Sequence, residues 1–347
     1  MRKEDYEQIK AVFDKFIQAL EMFEPERLSS LLAPEASAAL STLGQFDGAA
    51  AIVNGLKWNG VRMDVSKQRI FHYVAKITGD IAVQCAYVQA LIGVHRGTQL
   101  YPFQYGGRYA NTYKKTNDGW RITEIKYDHD WACGNSYFVK NWNLVNYDML
   151  TDIRCKQTIL SETDAPWRLV PNCEYGSTDE EQVAETFFKY AWCFDTHDFE
   201  LQITTITEDV AYIAPKLHLK GVRELVNYCK GIHHDEPALH HCGKVNMISI
   251  DGDEAVMEVC RAEPHKLGGG VLHIDNTHHQ FYSAKYTVKL KKLDNVWKIY
   301  EIHYKPTVFY EIEARHERFA DRPLASRDHV YRFESVRKLY DPHATQI

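Results

Sequence analysis

The chain has 347 residues, room for about two domains of ordinary size, and its 45% hydrophobic and 25% charged residues are typical of a soluble globular protein. A net charge of −6 without a dense run of Lys and Arg argues against a nucleic-acid-binding surface. The amino-terminal sequence lacks the apolar segment of a signal peptide, and no apolar stretch is long enough to cross a membrane. We therefore predict a cytoplasmic protein that binds neither membranes nor nucleic acids.

The first predicted element is an amphipathic helix near the amino terminus. Its apolar side chains, among them Ile9, Phe13 and Phe16, recur at the spacing of one helical face. Farther along, FDGAAAIVN at residues 46–54 predicts a turn at a glycine followed by a short helix. The sequence KITGDIAVQC at residues 76–85 predicts two strands joined by a Gly-Asp turn.

A long hairpin is predicted at residues 108–127, RYANTYKKTNDGWRITEIKY. Apolar and polar residues alternate there on both sides of a polar turn, so one face of the hairpin is expected to be buried. Residues 131–177 follow as an aromatic-rich connector. Its Pro166, Pro171 and Gly176 argue against a continuous helix at its far end.

The second half of the chain repeats these elements in the same order. Residues 285–304, KYTVKLKKLDNVWKIYEIHY, align without a gap with residues 108–127 at a shift of 177 residues. The other counterparts are a helix at 180–201, a turn and short helix at 219–227, and a strand pair at 249–260. Before the second helix, Ser177 or Thr178 with Glu180 or Glu181 predicts a helix N-cap box.

Helices followed by long strands in each half indicate the α+β class, with a curved antiparallel sheet wrapped around helices. We predict one such domain at residues 1–130 and a second at 178–306. Residues 307–347 are charged and rich in Arg but keep Phe and Tyr residues that could anchor them. This carboxyl-terminal segment is therefore predicted to be a docked arm.

The layout resembles, twice over, the SnoaL-like branch of the nuclear-transport-factor-2-like superfamily. The most specific stretches are YGGRYANTYKKTNDGWRITEIKYD and FFKYAWCFDTHDFELQITTITEDVAYI. The resemblance implies two tandem cone-shaped α+β barrels with deep apolar pockets. Since members often pair through their sheets, it also implies an intramolecular pseudo-dimer, and leaves a further homo-oligomer open. The family includes scytalone dehydratase, bile acid 7α-dehydratase, polyketide cyclases, ketosteroid-isomerase-like proteins and non-catalytic binders, so the fold leaves function open.

The dehydratase-like members place a Tyr and an Asp five residues apart at the end of the first helix, and a His on a later strand. The resemblance therefore implies catalytic roles for Tyr190, Asp195 and His241. Neighbours in a strand face opposite ways, so either His240 or His241 enters the cavity. Counting back from the DGD turn as in members of the family, the resemblance favours His241. The alternative is that Asp195 or Asp198 only hydrogen-bonds backbone in a polar helix end.

These residue types suit the elimination of water. A His can remove a proton beside a carbonyl, a carboxylate can hold the His ring, and a Tyr can donate to the developing oxyanion. Five helical steps separate Tyr190 from Asp195 by about 140° around the axis. The two side chains therefore reach one cavity only if the helix ends or tilts near Asp195. His197, beyond the pair, is expected at the surface.

The first copy has Phe16 and Glu21 at the matching helix positions, with His72 on a following strand. A degenerate site is expected there, although a Glu21–His72 dyad stays open. Arg108 could face that pocket and bind an acidic group, or could be a satisfied strand residue. In the second copy, the other candidate substrate-binding residues are His240, His279 and Tyr286.

A metal site is not predicted. The His pairs at 233–234, 240–241 and 278–279, with His273 and Asp275, carry ligand types for zinc or iron. The pairs lie on different segments, however, and strand alternation removes half of each pair from any one site. The eight cysteines are scattered without a C-x-x-C pair, which indicates reduced thiols.

These residues predict a cofactor-free lyase, of the dehydratase type, or an isomerase. Its substrate would be an apolar, ring-containing hydroxy or keto compound such as a steroid or a polyketide. One alternative is a non-catalytic protein of the same fold that binds a hydrophobic small molecule. Another is a scaffold subunit that uses the connector and the arm to contact a partner.

Overall fold

The structure, a computed structural model, describes residues 3–57, 63–96, 99–134, 139–143, 157–173, 177–235, 240–265 and 278–313. The chain forms two compact units. The first is built on Met1–Gly176, and the second on Ser177–His265 and Gln280–Glu311. The predicted domain boundaries stay predictions.

The first unit contains five helices in its described part. They are α1 (Lys3–Met22), α2 (Pro25–Leu31), α3 (Ala49–Gly55), α4 (Ser161–Asp164) and α5 (Pro166–Leu169). As the spacing predicts, α1 buries Ile9, Phe13 and Phe16. Gly48 precedes α3 with a φ of 86°, a conformation that glycine adopts without the strain of a side chain.

Six strands of the first unit form one curved sheet. They are β1 (Leu32–Leu40), β2 (Gly44–Asp47), β3 (Val65–Thr78), β4 (Ile81–Arg96), β5 (Gln99–Thr116) and β6 (Gly119–Gly134). Their spatial order is β2-β1-β6-β5-β4-β3. The predicted hairpin is β5 and β6, joined where Thr116 pairs with Gly119.

The second unit repeats this arrangement. Its helices are α6 (Asp179–Asp195), α7 (Phe199–Ile203) and α8 (Val222–Asp235). Its strands are β7 (Ile206–Ala214), β8 (Leu217–Lys220), β9 (Lys244–Asp251), β10 (Glu254–His265), β11 (His278–Leu293) and β12 (Val296–Glu313). The strand order, β8-β7-β12-β11-β10-β9, matches that of the first sheet element by element.

The start of the first helix is tied to the hairpin in the same way in both units. In the first unit, Asp5 accepts hydrogen bonds from Lys115 Nζ at 2.6 Å and from Trp120 Nε1 at 3.0 Å. In the second, Asp179 accepts from Lys292 Nζ at 2.7 Å and from Trp297 Nε1 at 3.0 Å. The sequence repeat is therefore a repeat of specific tertiary contacts as well as of elements.

The core of each unit lies between the concave face of the sheet and its helices. In the second unit, Val183 and Phe187 of α6 belong to the same buried cluster as Trp297 and Ile299 of β12. Each large apolar side chain that is fully buried in this way contributes about 1.5–3 kcal/mol to the stability of the fold. Thr178 and Glu181 form the predicted capping box, with hydrogen bonds of 3.3 and 2.8 Å.

The predicted α+β class and tandem arrangement are confirmed, and the sheets differ from the expected form in two details. Each contains one parallel pair, β1 with β6 and β7 with β12, among antiparallel pairs. The parallel pair arises because α2 delivers the chain to the end of the sheet where β6 begins, so that Leu32 pairs with Ile122. Neither sheet closes, since β2 and β3 in one, and β8 and β9 in the other, lie at its edges.

Two predicted boundaries fall inside strands. Strand β6 reaches Gly134 and β12 reaches Glu313, each a few residues past the predicted domain ends at 130 and 306. The far end of the connector holds α4 and α5, each of four residues, with Pro166 opening α5. Residues 314–347 of the predicted arm lie outside the described residues, and the pseudo-dimer stays a prediction.

Candidate active site

The second unit encloses a cavity of about 250 Å³ between α6, α8 and the concave face of its sheet. Most of its wall is aromatic or aliphatic. The lining residues are Phe187, Tyr190, Ala191, Phe194, Tyr212, Leu225, Tyr228, Cys229, Ile232, His241, Arg261, Tyr286 and Tyr304. A mostly apolar wall with a few convergent polar groups is the usual form of a small-molecule site.

Helix α6 ends at Asp195, but only Tyr190 of the pair lines the cavity, and Asp195 reaches the site through its contact with His241. Thr196 caps the helix with a non-helical φ of −103° and ψ of 6°, and His197 follows with a φ of 62° and an exposed side chain. Asp198 has a different task, because its carboxylate caps α7 by accepting from Leu201 N at 3.0 Å. The polar residues at this helix end therefore divide between capping and the site.

Asp195 holds His241 through both carboxylate oxygens. Oδ2 accepts from the backbone N–H of His241 at 2.6 Å, and Oδ1 lies 2.5 Å from the ring Nδ1. The Asp195 side chain is fully buried and does not line the cavity, so it lies behind the histidine. Two contacts to one residue fix both the position and the rotation of the imidazole.

His241 presents its ring to the cavity. A carboxylate accepts at Nδ1, so the neutral ring carries its proton there and Nε2 keeps a lone pair. The ring packs on Phe194, with 4.4 Å between ring centroids. His240 and His241 were predicted on a strand, which is wrong, because both precede the first residue of β9, Lys244.

Tyr190 lines the same cavity from α6, one turn and a half before Asp195. Burial is the main cause that raises the pKa of its phenol well above 10, and the neighbouring Cys229 thiol and Tyr212 add to it. The phenol therefore stays protonated at neutral pH and can donate a hydrogen bond. Burial likewise raises the pKa of the Cys229 thiol to about 12.

Arg261 is a cavity residue that our sequence reasoning missed. It lies on β10, is buried, and places its guanidinium carbon 5.6 Å from the centroid of the Tyr286 ring. A signal was available in EAVMEVCRAE, where Ala255, Met257 and Val259 alternate as buried positions and Arg261 is next in that series. An arginine on the buried face of a strand is unusual enough to mark a site.

The other predicted residues of the second unit have different placements. Tyr286 lines the cavity. His240 is buried but does not line it. The side chain of His279 lies outside the described residues, as do His273 and Asp275. The catalytic and substrate-binding roles assigned to these residues stay predictions.

The first unit has a smaller cavity at the matching place, of about 50 Å³. Glu21, the counterpart of Asp195, accepts a hydrogen bond from the backbone N–H of Gln68 and lies 3.7 Å from Lys67 Nζ. Gln68 lines this cavity and stands ten residues before the end of β3, as His241 stands ten before the end of β9. A glutamine therefore occupies the place of the histidine.

His72 was aligned with the wrong position. Its φ of 48° lies where the pairing of β3 with β4 shifts, and its ring contacts Tyr87 at 5.4 Å. It does not line the cavity, so the Glu21–His72 dyad is not formed. Counting back from the end of the strand, as for His241, leads to Gln68 and not to His72.

Arg108 does not face the cavity either. Its guanidinium donates to Asp130 Oδ1 through Nη2 at 2.8 Å and through Nε at 3.2 Å, and both side chains are buried. The cavity-facing residues of β5 are Tyr105 and Tyr109, and the two consecutive glycines between them interrupt the pairing with β6. The alternative prediction of a satisfied strand arginine therefore describes Arg108.

Within the described parts of the chain, no three His, Cys, Asp or Glu side chains come together as a metal-binding group. None of the described helices is long and apolar enough to cross a membrane.

The sequence profile of the SnoaL-like domain matches this chain twice, at residues 1–126 and 177–303. Among curated protein sequences, none matches.

Several solved structures resemble one unit of the chain. One is a protein assigned as a dehydratase of the NTF2-like family from Streptomyces avermitilis, with 18% identity over 37% of this chain and 97% of that chain, at a TM-score of 0.34. A second is a hexachlorocyclohexane dehydrochlorinase from Novosphingobium barchaimii, with 13% identity, coverage of 38% and 90%, and a TM-score of 0.33. A third is an NTF2-like superfamily protein from Salmonella enterica, with 16% identity, coverage of 37% and 93%, and a TM-score of 0.32.

Proposed function

Because this chain belongs to the SnoaL-like domain family, with one copy of the domain in each half, we propose that its second domain is a cofactor-free acid/base enzyme. It acts as a lyase of the dehydratase type or as an isomerase. The substrate is an apolar, ring-containing hydroxy or keto compound, such as a polyketide or a steroid. The contact between Asp195 and His241 at the wall of the cavity carries this proposal.

The dyad suits His241 to act as a general base. Asp195 accepts at Nδ1, so the Nε2 lone pair is directed to the substrate, and the carboxylate stabilises the imidazolium that forms when Nε2 takes a proton. The backbone contact at 2.6 Å prevents the ring from being displaced when its charge changes. A base held in this way loses little conformational freedom during the reaction.

The reaction then follows a short sequence. Nε2 of His241 removes a proton from the carbon beside the substrate carbonyl, and the electron pair of that C–H bond forms an enolate. Tyr190 donates a hydrogen bond to the enolate oxygen. In an elimination, the carbonyl re-forms, the bond from the β-carbon to its hydroxyl breaks, and the imidazolium returns the proton to the departing oxygen, which leaves as water. In an isomerisation, the proton returns to a different carbon.

The lining supports a ring-bearing substrate. Phe187, Phe194 and Tyr286 present aromatic surfaces to the cavity, and such surfaces favour flat apolar rings through stacking and burial. Exclusion of water from this wall also strengthens each hydrogen bond made by the polar residues.

The test follows proton abstraction directly, so it serves for a lyase and for an isomerase. A panel of one- and two-ring ketones and β-hydroxy ketones, with neutral and charged ring substituents, is incubated with the full chain in D₂O. Proton NMR reports deuterium entry beside the carbonyl, and absorbance reports enone formation. In the H241Q and D195N variants, the rate should each time fall by a factor of about 10²–10⁴.

The first domain provides the matched control. E21Q makes the same chemical change as D195N, at the structurally equivalent position of a domain without the histidine. It should leave the rate unchanged. Turnover in H241Q and D195N at the level of the unsubstituted chain would overturn the proposal. Ligands of the panel that bind but are recovered unchanged would indicate a non-catalytic binding protein instead.

A further inference from the structure

The substrate of the second domain carries an acidic group, and we infer that Arg261 binds it. Among the described residues that line the cavity, Arg261 carries the one permanent charge. This inference rests on the proposed function, because it names the class of substrate: an apolar ring compound with a carboxylate.

Arg261 is built into the wall by its strand. On β10 it follows the buried positions Met257 and Val259 on the same face, and it pairs across the sheet with Ala284 of β11. Val259 pairs with Tyr286, so Tyr286 is the diagonal neighbour of Arg261 on this face. The guanidinium carbon lies 5.6 Å from the centroid of the Tyr286 ring, a distance at which the ring attracts a cation.

The first domain shows what this position holds when no charge is needed. Ala284 corresponds to Gly107 under the 177-residue shift of the hairpin, and Gly107 pairs with Val88 of β4. Val88 is fully buried in the core of the first domain. A valine therefore satisfies the fold at this place, and the scaffold alone does not require an arginine.

The polar positions of the two cavities change together. Where the second domain has Tyr190, Asp195 and His241, the first has Phe16, Glu21 and Gln68. Arg261 in place of Val88 belongs to the same set of differences. Its occurrence in the domain that has the acid/base dyad points to a part in handling the substrate.

The chemistry of the guanidinium selects the ligand class. A guanidinium at the wall of a mostly apolar cavity attracts an anionic group more strongly than it would in water. The planar fork of the guanidinium matches the two oxygens of a carboxylate. With the acidic group held by Arg261 on β10, the rings rest against the aromatic wall and the reacting carbon is presented to His241.

The test measures binding alone, so its outcome is separate from that of the turnover assay. The probes are benzoate and 2-naphthoate, each paired with its neutral amide, titrated into the full chain by calorimetry. A charge-assisted contact should make each carboxylate bind about tenfold or more tightly than its amide. In R261Q the ratio of carboxylate to amide affinity should fall to about one, and R261K should retain part of the preference.

K289Q is the matched control, because it removes one positive charge from β11, the strand next to β10, where Lys289 pairs with Glu301. It should keep the preference for the carboxylates. Circular dichroism confirms that each variant is folded. The comparison of carboxylate with amide in the unsubstituted chain tests the inference even if a variant fails to fold. Equal binding of carboxylate and amide by the unsubstituted chain, or binding of neither, overturns the inference. The same holds if R261Q keeps the preference.

Discussion

Asp195 contacts the backbone N–H of His241 with one carboxylate oxygen and its ring Nδ1 with the other, at 2.6 and 2.5 Å. The two residues are 46 positions apart in sequence, so the contact joins the end of α6 to the segment that leads into β9. The first domain keeps the backbone half of this arrangement, between Glu21 and Gln68. The backbone contact is therefore part of the shared fold, and the ring contact is specific to the second domain.

The contact predicts a defined tautomer of His241. In the free chain near neutral pH, nitrogen-15 NMR should show a ring protonated at Nδ1, with a strongly downfield N–H proton from the short contact to Asp195. In D195N that downfield proton should disappear, because a neutral amide is a weaker partner. The E21Q spectrum should retain it. A His241 ring protonated at Nε2 in the unsubstituted chain would contradict the proposed base.

Asp195 should also stabilise the second domain. D195A leaves two partly buried donors of His241 without their acceptor, which should cost about 2–4 kcal/mol of unfolding free energy. D198A serves as the comparison, because loss of the α7 cap should cost only about 1 kcal/mol. Urea unfolding of both variants measures the difference. Equal costs would show that the dyad is not made in the folded chain.

The raised pKa of Tyr190 should make the stability of the second domain depend on alkaline pH. Because burial raises the pKa of this phenol above 10, the folded state holds its proton more tightly than the unfolded state does. Its contribution to stability is complete below about pH 10 and is lost as the pH rises further. Y190F removes this dependence. Urea unfolding at pH 8 and pH 10.5 should show the unsubstituted chain losing stability relative to Y190F, and a constant difference would contradict the raised pKa.

Cys229 should be unreactive although it borders the cavity. Because burial raises the pKa of its thiol to about 12, very little thiolate forms at pH 9 in the folded chain. Iodoacetamide followed by mass spectrometry should modify Cys260, which is partly exposed, well before Cys229. Unfolding in urea should remove the difference. Alkylation of Cys229 as fast as Cys260 in the folded chain would show that the cavity is open to water.

Gly107 and Gly231 should respond to alanine in opposite directions. A Cβ at Gly107 would lie 2.4 Å from the backbone oxygen of Asp128 and 2.6 Å from the Tyr127 hydroxyl, so G107A should destabilise the first domain by about 1–3 kcal/mol or more. Gly231 is exposed in α8 with open space around it, so G231A should stabilise the second domain by about 0.5–1 kcal/mol. Denaturant unfolding measures both values, and similar effects of the two would refute the close packing at Gly107.

The features that could be predicted from the sequence are those that neighbouring residues determine. The capping box at Thr178, the Gly-Asp turns and the hairpin at Thr116–Gly119 follow from residue types within a few positions of each other. The tandem repeat extended these predictions to the order of the elements. The parallel pairing of β1 with β6 was missed, because it depends on where α2 releases the chain and not on any pattern within a strand.

The site was predicted less completely for the same physical reason. The family resemblance gave Asp195 and His241, while the direction of His72 depended on an irregularity in β3 that leaves no simple mark in the sequence. Arg261 broke the apolar alternation of β10 and could have been found by asking which charged residue lies on a buried face. Its meaning required the three-dimensional neighbour Tyr286.

Asp195 lies behind His241 and contributes nothing to the cavity surface. Leu225 and Ile232 on α8, in contrast, line the cavity without belonging to the dyad. Their side chains can be exchanged for larger or smaller ones while the base and its carboxylate keep their geometry. The shape of the binding space and the reactive pair can therefore change independently, which would let one reaction be adapted to many substrates.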